Sequence, residues 1–100
     1  MAQRHEVRAH QFHEIVDPNT EMETLFSHLV FPEGPVWVPD TRALLFTDIP
    51  ESTIYQSDGV ALSVWRTNTN KANGLALDSD SILACEHATS CVVRYTGSER

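Results

Sequence analysis

The sequence is poor in basic side chains and has no long apolar run, and each shortage excludes a class of protein. Seven Lys and Arg stand against fourteen Asp and Glu, so the formal net charge is −7. Such a chain repels nucleic-acid phosphates and anionic lipid headgroups, and we expect no nucleic-acid and no membrane partner. No stretch reaches the length of a transmembrane helix, and the amino terminus lacks the apolar segment of a secretory signal.

Cysteine is also scarce. The two cysteines, Cys85 and Cys91, are too few for a disulfide framework. Their spacing would let them face each other across a hairpin, so a disulfide stays open, with free thiols as the default. Because no export signal is apparent, a reducing cytoplasmic location is the simpler prediction.

From Phe31 onward, short apolar segments alternate with Pro, Asp, Asn and Gly, which are strand and turn signals. The pattern predicts strands at 36–38, 43–48, 53–56, 61–65, 75–77, 82–86 and 91–95. The apolar run at 43–46 does not alternate, which is typical of a strand covered on both faces. The prediction is therefore an all-β fold.

The predicted strands repeat. The run EGPVW at 33–37 matches NGLAL at 73–77, and LFTD at 45–48 matches LACE at 83–86. The offset is 40 residues at the first block and 38 at the second, so the second unit has lost two residues in its first turn. A period near forty with four strands per unit is typical of β-propeller blades. The chain supplies one complete blade and most of a second.

Residues 20–29 fit two structures. Thr20 and Glu23 form a capping-box pattern, and apolar residues at 22, 25, 26 and 29 fall at helical spacing. Met22, Thr24 and Phe26 also alternate with two glutamates, as they would in a strand.

Two blocks of the chain resemble the senescence marker protein/gluconolactonase (regucalcin-like) family. The first is FPEGPVW at 31–37 followed by LFTDIP at 45–50, and the second is ANGL at 72–75 followed by ACEH at 84–87. The resemblance is to a gluconolactonase-like member. It extends over roughly residues 12–95, which correspond to the opening third of a family chain.

The resemblance implies a six-bladed β-propeller that hydrolyses a small cyclic ester, typically a sugar lactone. A divalent cation, calcium or zinc, lies on the propeller axis and polarises the lactone carbonyl, while a nearby carboxylate activates water. The implied organisation is an irregular amino-terminal arm at 1–19 and a partial propeller at 20–100. The propeller part comprises a closing strand at about 21–30, blade 1 at about 33–66 and an incomplete blade 2 at about 73–100. The resemblance thus favours the strand over the helix for the ambiguous segment.

Glu33 matches the family's first metal ligand, because it directly precedes the innermost strand of a blade and hard cations prefer oxygen ligands. The alternative is an ordinary exposed loop carboxylate. Asn73 holds the equivalent place in the second unit, either as a cavity-lining group that contacts substrate or as a turn residue. The resemblance places the other metal ligands and the general base beyond Arg100. We therefore expect no catalytic residue in this chain and no activity from it alone.

The remaining polar candidates have mainly structural interpretations. Asp48 and Glu86 recur at the end of the second strand of each unit, where an acid accepts backbone hydrogen bonds from the following turn. His87 lies near the predicted cavity rim without a partner. His10 and His13 would need a further ligand to hold a transition metal, and we interpret them as part of a solvated arm.

One turn departs from the family pattern. After Asp80 the chain has Ser81 and Ile82, where the family carries glycine and a basic residue; if that turn needs a positive φ, Ser81 costs about 1 kcal/mol relative to glycine. The leading hypothesis is an amino-terminal fragment of a metal-dependent lactonase. The alternatives are a noncatalytic propeller module that binds a protein or small ligand, and an inactive truncated product.

Overall fold

The computed structural model describes residues 6–97, which form two antiparallel β-sheets beside each other. The first sheet has the strand order β1-β2-β3-β4 and the second the order β5-β6-β7. The strands are β1 (Pro32–Val38), β2 (Ala43–Asp48), β3 (Thr53–Ser57), β4 (Leu62–Thr67), β5 (Ala72–Asp78), β6 (Ser81–Glu86) and β7 (Cys91–Tyr95). All seven predicted strands are confirmed, although β1 and β5 begin earlier than predicted. The all-β class is confirmed as well.

The strand register explains the two offsets of the sequence repeat. In the first sheet Val38 pairs with Ala43, which leaves a four-residue turn at 39–42. In the second sheet Asp78 pairs with Ser81, which leaves a two-residue turn at 79–80. The second unit is therefore shorter by two residues in its first turn, as the sequence predicted.

A backbone hydrogen bond recurs at the same place in both units. The Ile49 N–H donates to the Phe31 carbonyl, and the His87 N–H donates to the Lys71 carbonyl, each at 3.3 Å. Both bonds join the residue after the second strand to the segment that precedes the first strand. The two units therefore share a backbone hydrogen bond as well as a sequence pattern.

Serine and arginine, rather than glycine, adopt the left-handed conformation in several turns. Arg42, Ser52 and Ser90 end four-residue turns with φ of 51°, 48° and 55°. In the short turn the positive φ of 56° belongs to Ser79. The turn thus needs a positive φ, but the residue that bears its cost is not Ser81, which is already the first, buried residue of β6.

The apolar core lies between the two sheets. Its fully buried members come from β2, β3, β5, β6 and β7: Leu45, Ile54, Ala72, Ile82, Ala84 and Tyr95. Within β2, five of the six side chains are buried and Leu44 is half-buried. This matches the prediction, from its unbroken apolar run, that β2 is covered on both faces.

The segment before β1 forms neither of the two structures predicted for it. Residues 20–30 have no regular secondary structure, and Met22 and Leu25 are exposed. A strand needs a partner for its backbone groups, and no strand in residues 6–97 pairs with this segment. The closing strand at about 21–30 is therefore absent here, and its pairing with a last blade stays a prediction. The predicted irregular arm contains a short 3₁₀ helix, His10–Glu14.

Candidate functional site

Glu33 lies near the start of β1, the strand of the first sheet that packs beside β5 of the second sheet. Its Cα pairs with Thr47 of β2, and a β-bulge interrupts the register between Glu33 and Val36. The side chain is exposed, and its carboxylate has no hydrogen bond or ion pair with any residue in the 6–97 range. The sequence-predicted metal ligand is therefore an accessible, uncompensated oxygen donor at the junction of the two sheets.

Asn73 occupies the matching position in β5, where a second bulge falls between Ala72 and Leu75. The residue is half-buried, and its Oδ1 accepts a hydrogen bond of 2.5 Å from the Gly74 N–H. It also lines an open depression of about 350 Å³ with His87 and other residues of β6, β7 and their turn. The local hydrogen bond fits the interpretation as a turn residue, and the depression fits that as a cavity-lining group.

Thr47 joins the two candidates and was missed by sequence reasoning. Its side chain is fully buried, and its hydroxyl lies 3.0 Å from the Glu33 carbonyl oxygen and 3.1 Å from that of Asn73. Continuous hairpin pairing from the turn would place Asp48 opposite Glu33. The bulge shifts the register by one residue and places Thr47 there instead. Only a prediction of the bulge would have identified Thr47.

Asp48 and Glu86 are buried and hydrogen-bonded, as a structural role requires. The Asp48 carboxylate accepts backbone N–H bonds from Val30 at 3.0 Å and Phe31 at 2.8 Å. These donors precede β1, so the expectation that they would come from the following turn is wrong. The positions of these two donors follow from strand pairing. Asp48 pairs with Pro32, which has no N–H of its own, and Val30 and Phe31 directly precede Pro32.

Glu86 accepts hydrogen bonds from three side chains within the described part of the chain. Asn70 Nδ2 donates at 3.2 Å, the Thr89 hydroxyl at 2.7 Å and the Tyr95 hydroxyl at 3.0 Å. Thr89 lies in the turn after β6, and Tyr95 lies in β7. The equivalent acids therefore anchor different segments of the chain, and neither is exposed for chemistry.

Within residues 6–97, the histidines and cysteines do not assemble into a metal centre. His10 and His13 are neighbours, with ring centroids 5.8 Å apart. Cys85 and Cys91 are free and exposed. Between residues 6 and 97, no group of three or more His, Cys, Asp or Glu side chains is placed to hold a metal ion. The donors described here therefore do not fit a complete metal site, and Glu33 would need ligands from elsewhere.

No helix in the described part of the chain is both long and apolar enough to cross a membrane.

Comparison with known families and structures gives consistent matches. The sequence profile described as the SMP-30/Gluconolactonase/LRE-like region matches residues 31–100. A gluconolactonase from Xanthomonas campestris has a similar structure, with a TM-score of 0.71, 26% identity and coverage of 77% of this chain and 27% of that one. A putative gluconolactonase gives a TM-score of 0.74 at 26% identity, covering 94% of this chain and 31% of the other. The chain thus spans under a third of the length of these structures. No relative was found among curated protein sequences.

Proposed function

Because this chain belongs to the SMP-30/gluconolactonase/LRE-like family and folds as part of its β-propeller, we propose that it is the amino-terminal part of a lactonase. The reaction adds water to the acyl carbon of a sugar lactone and breaks the ring C–O bond, which yields a hydroxy acid. The observation that carries the proposal is the position of Glu33, an exposed and unpaired carboxylate within the family-matched region. We further propose a cytoplasmic location for the intact protein.

Glu33 is proposed as one ligand of a divalent cation, calcium or zinc. When bound, such an ion withdraws electron density from the lactone carbonyl and favours attack by water. Described residues supply one candidate ligand, so the remaining ligands must come from other blades of the intact protein. A single carboxylate surrounded by water binds such ions weakly, and we expect the 100-residue chain alone to be inactive.

Asn73 is proposed as a substrate-binding group. Its half-buried amide lies at the depression beside the second sheet, and an amide can both donate to and accept from the hydroxyls of a sugar ring. Its Oδ1 already accepts from Gly74, which leaves the Nδ2 protons as the donors for a ligand. No residue of this chain is assigned as the general base.

The test compares Glu33→Gln with the wild type in the intact protein. Opening of D-glucono-1,5-lactone releases an acid, so proton release in a pH-stat measures turnover directly, and calorimetric titration with Ca²⁺ and Zn²⁺ measures cation affinity. We expect Glu33→Gln to lose turnover and to bind the preferred cation at least about 10-fold more weakly, by analogy with the loss of groups that orient metal ligands.

The matched control is Glu51→Gln, which neutralises an exposed carboxylate in the turn between β2 and β3. It should leave both cation affinity and turnover unchanged. If Glu33→Gln also left both unchanged, the lactonase assignment would be withdrawn in favour of a noncatalytic propeller module.

A further inference from the structure

The inner strands of the two sheets meet at a point where one buried hydroxyl contacts both. Thr47 is fully buried in β2, and its hydroxyl lies within hydrogen-bond distance of the carbonyl oxygens of Glu33 in β1 and Asn73 in β5. A hydroxyl has one proton, so it donates to one carbonyl or shares the proton between them. Either arrangement keeps both carbonyls close to a single point of β2.

The same two strands also approach each other without an intervening side chain. Gly34 has φ of +62°, and a Cβ at this position would overlap the Asn73 carbonyl and press against the Gly74 Cα. The separation of the inner strands is therefore limited by backbone contact on one side and by the Thr47 hydroxyl on the other. Few small displacements of β1 relative to β5 are compatible with both the Gly34 backbone contact and the Thr47 hydroxyl contacts.

We propose that Thr47 is a positioning residue that sets the placement of Glu33 relative to Asn73. Its consequence for lactone hydrolysis rests on the proposed function, whereas its consequence for strand placement does not. Removing the hydroxyl leaves one fewer donor for two part-buried carbonyls, and a carbonyl that loses its donor favours movement of its strand towards another donor. The inner strands then separate while each sheet keeps its own hydrogen bonds.

The sequence repeat supports a position-specific role. Cys85 of β6 occupies the place that corresponds to Thr47, since each residue immediately precedes the acid that ends its strand. A thiol is a weaker donor than a hydroxyl. Cys85 is exposed, and no further sheet lies beside it within residues 6–97. Of these two corresponding positions, the one that lies between the two described sheets has the hydroxyl, and the other has the thiol.

The experiment measures strand placement by NMR in the chain of residues 1–100. The contact between Gly34 and Gly74 predicts a nuclear Overhauser effect between their Hα protons across the two sheets. Thr47→Val should lose this cross-peak while the strand amide resonances stay dispersed, and Thr47→Ser should keep it. The matched control is Thr53→Val, because Thr53 is also buried but, among the described residues, its hydroxyl donates to the Glu51 carbonyl in the turn before β3 and not to the second sheet. The control should keep the cross-peak.

An unchanged cross-peak in a folded Thr47→Val chain would overturn the proposal. If Thr47→Val fails to fold, Thr47→Cys decides, because it places the weaker donor of the second unit in the first. Loss of the cross-peak in folded Thr47→Cys supports the positioning role, and its retention overturns that role. Unfolding of both variants also overturns it, because the hydroxyl would then stabilise the whole chain rather than place two residues.

Kinetics of the intact protein separate this proposal from the lactonase proposal. A displacement of about 1 Å at a site can lower catalysis by about 100-fold, so we expect Thr47→Val to reduce kcat/KM by up to that factor and Thr47→Ser to restore it. If the wild type opens no lactone but the cross-peak behaves as expected, the proposed function fails and the positioning role stands. If Glu33→Gln abolishes turnover but Thr47→Val changes neither the cross-peak nor kcat/KM, only the positioning role fails.

Discussion

Gly34 lies at the contact between the sheets and is constrained both by its positive φ and by its neighbouring backbone. Three glycine-to-alanine substitutions separate these two constraints. Gly34 combines φ of +62° with direct contact to the Asn73 backbone, whereas Gly59 has φ of +99° and open space around it. Gly74 has neither constraint, since a Cβ there would lie 3.9 Å from the Cys85 Sγ, an ordinary contact distance. Each substitution adds the same methyl group, so differences between them report the backbone angle and the contact separately.

The expected stabilities follow from these environments. A left-handed backbone costs an alanine about 1–2 kcal/mol, which is the whole expected loss for Gly59→Ala. Gly34→Ala adds overpacking of about 1–3 kcal/mol, so its total loss is about 2–5 kcal/mol. Gly74→Ala should gain about 0.4–1 kcal/mol, because it restricts the unfolded chain at a compatible position. A loss of the size expected for Gly34→Ala is a large part of the 5–15 kcal/mol that stabilises a typical domain.

Urea unfolding followed by far-UV circular dichroism measures all three variants against the wild type. The order of transition midpoints should be Gly74→Ala highest, then wild type, Gly59→Ala and Gly34→Ala. A common slope of the transitions would allow the midpoints to be compared as stabilities. Equal losses of stability for Gly34→Ala and Gly59→Ala would refute the close backbone contact between the sheets. This contact is one of the two observations that support a positioning role for Thr47.

Three further predictions concern one buried acid and two turns. Ser79→Gly should stabilise the chain by up to about 1 kcal/mol, since it relieves the positive φ in the turn between β5 and β6; a lower urea midpoint would contradict it. Asp48→Ala should destabilise the chain by about 3 kcal/mol or more, because two backbone N–H groups lose a charged acceptor; a loss below about 1 kcal/mol would contradict that assignment. Backbone N–H bonds from Ala61 and Val60 lower the pKa of Asp58. Asp58 therefore stabilises the fold above about pH 3.9, its unfolded pKa, and this contribution is lost as pH falls through the folded pKa. An NMR titration of the Asp58 carboxyl should have a midpoint below that of an ordinary Asp, and a midpoint at or above it would count against the turn hydrogen bonds.

Strand positions were readable from the sequence because they depend on local signals. The unbroken apolar run of β2 and the turn residues on either side of it fixed its bounds as Ala43–Asp48 without reference to any other part of the chain. The same local logic failed for Met22 and its neighbours, where helical and alternating patterns coincide. Neither structure forms, because a strand there depends on a partner that the pattern does not contain.

The sequence alone determined the all-β class, the repeat, the shorter first turn of the second unit and Glu33 and Asn73 as equivalent positions. These features depend on the order and spacing of residues along the chain. Tertiary structure decided that a β-bulge places Thr47, rather than Asp48, opposite Glu33, and that the positive φ of the turn between β5 and β6 belongs to Ser79 rather than Ser81. It also decided that Asp48 binds the segment before β1 while Glu86 binds Tyr95 and side chains around it. The physical reason is that a bulge shifts register by one residue, and partners of a buried polar group are chosen by packing between segments distant in sequence.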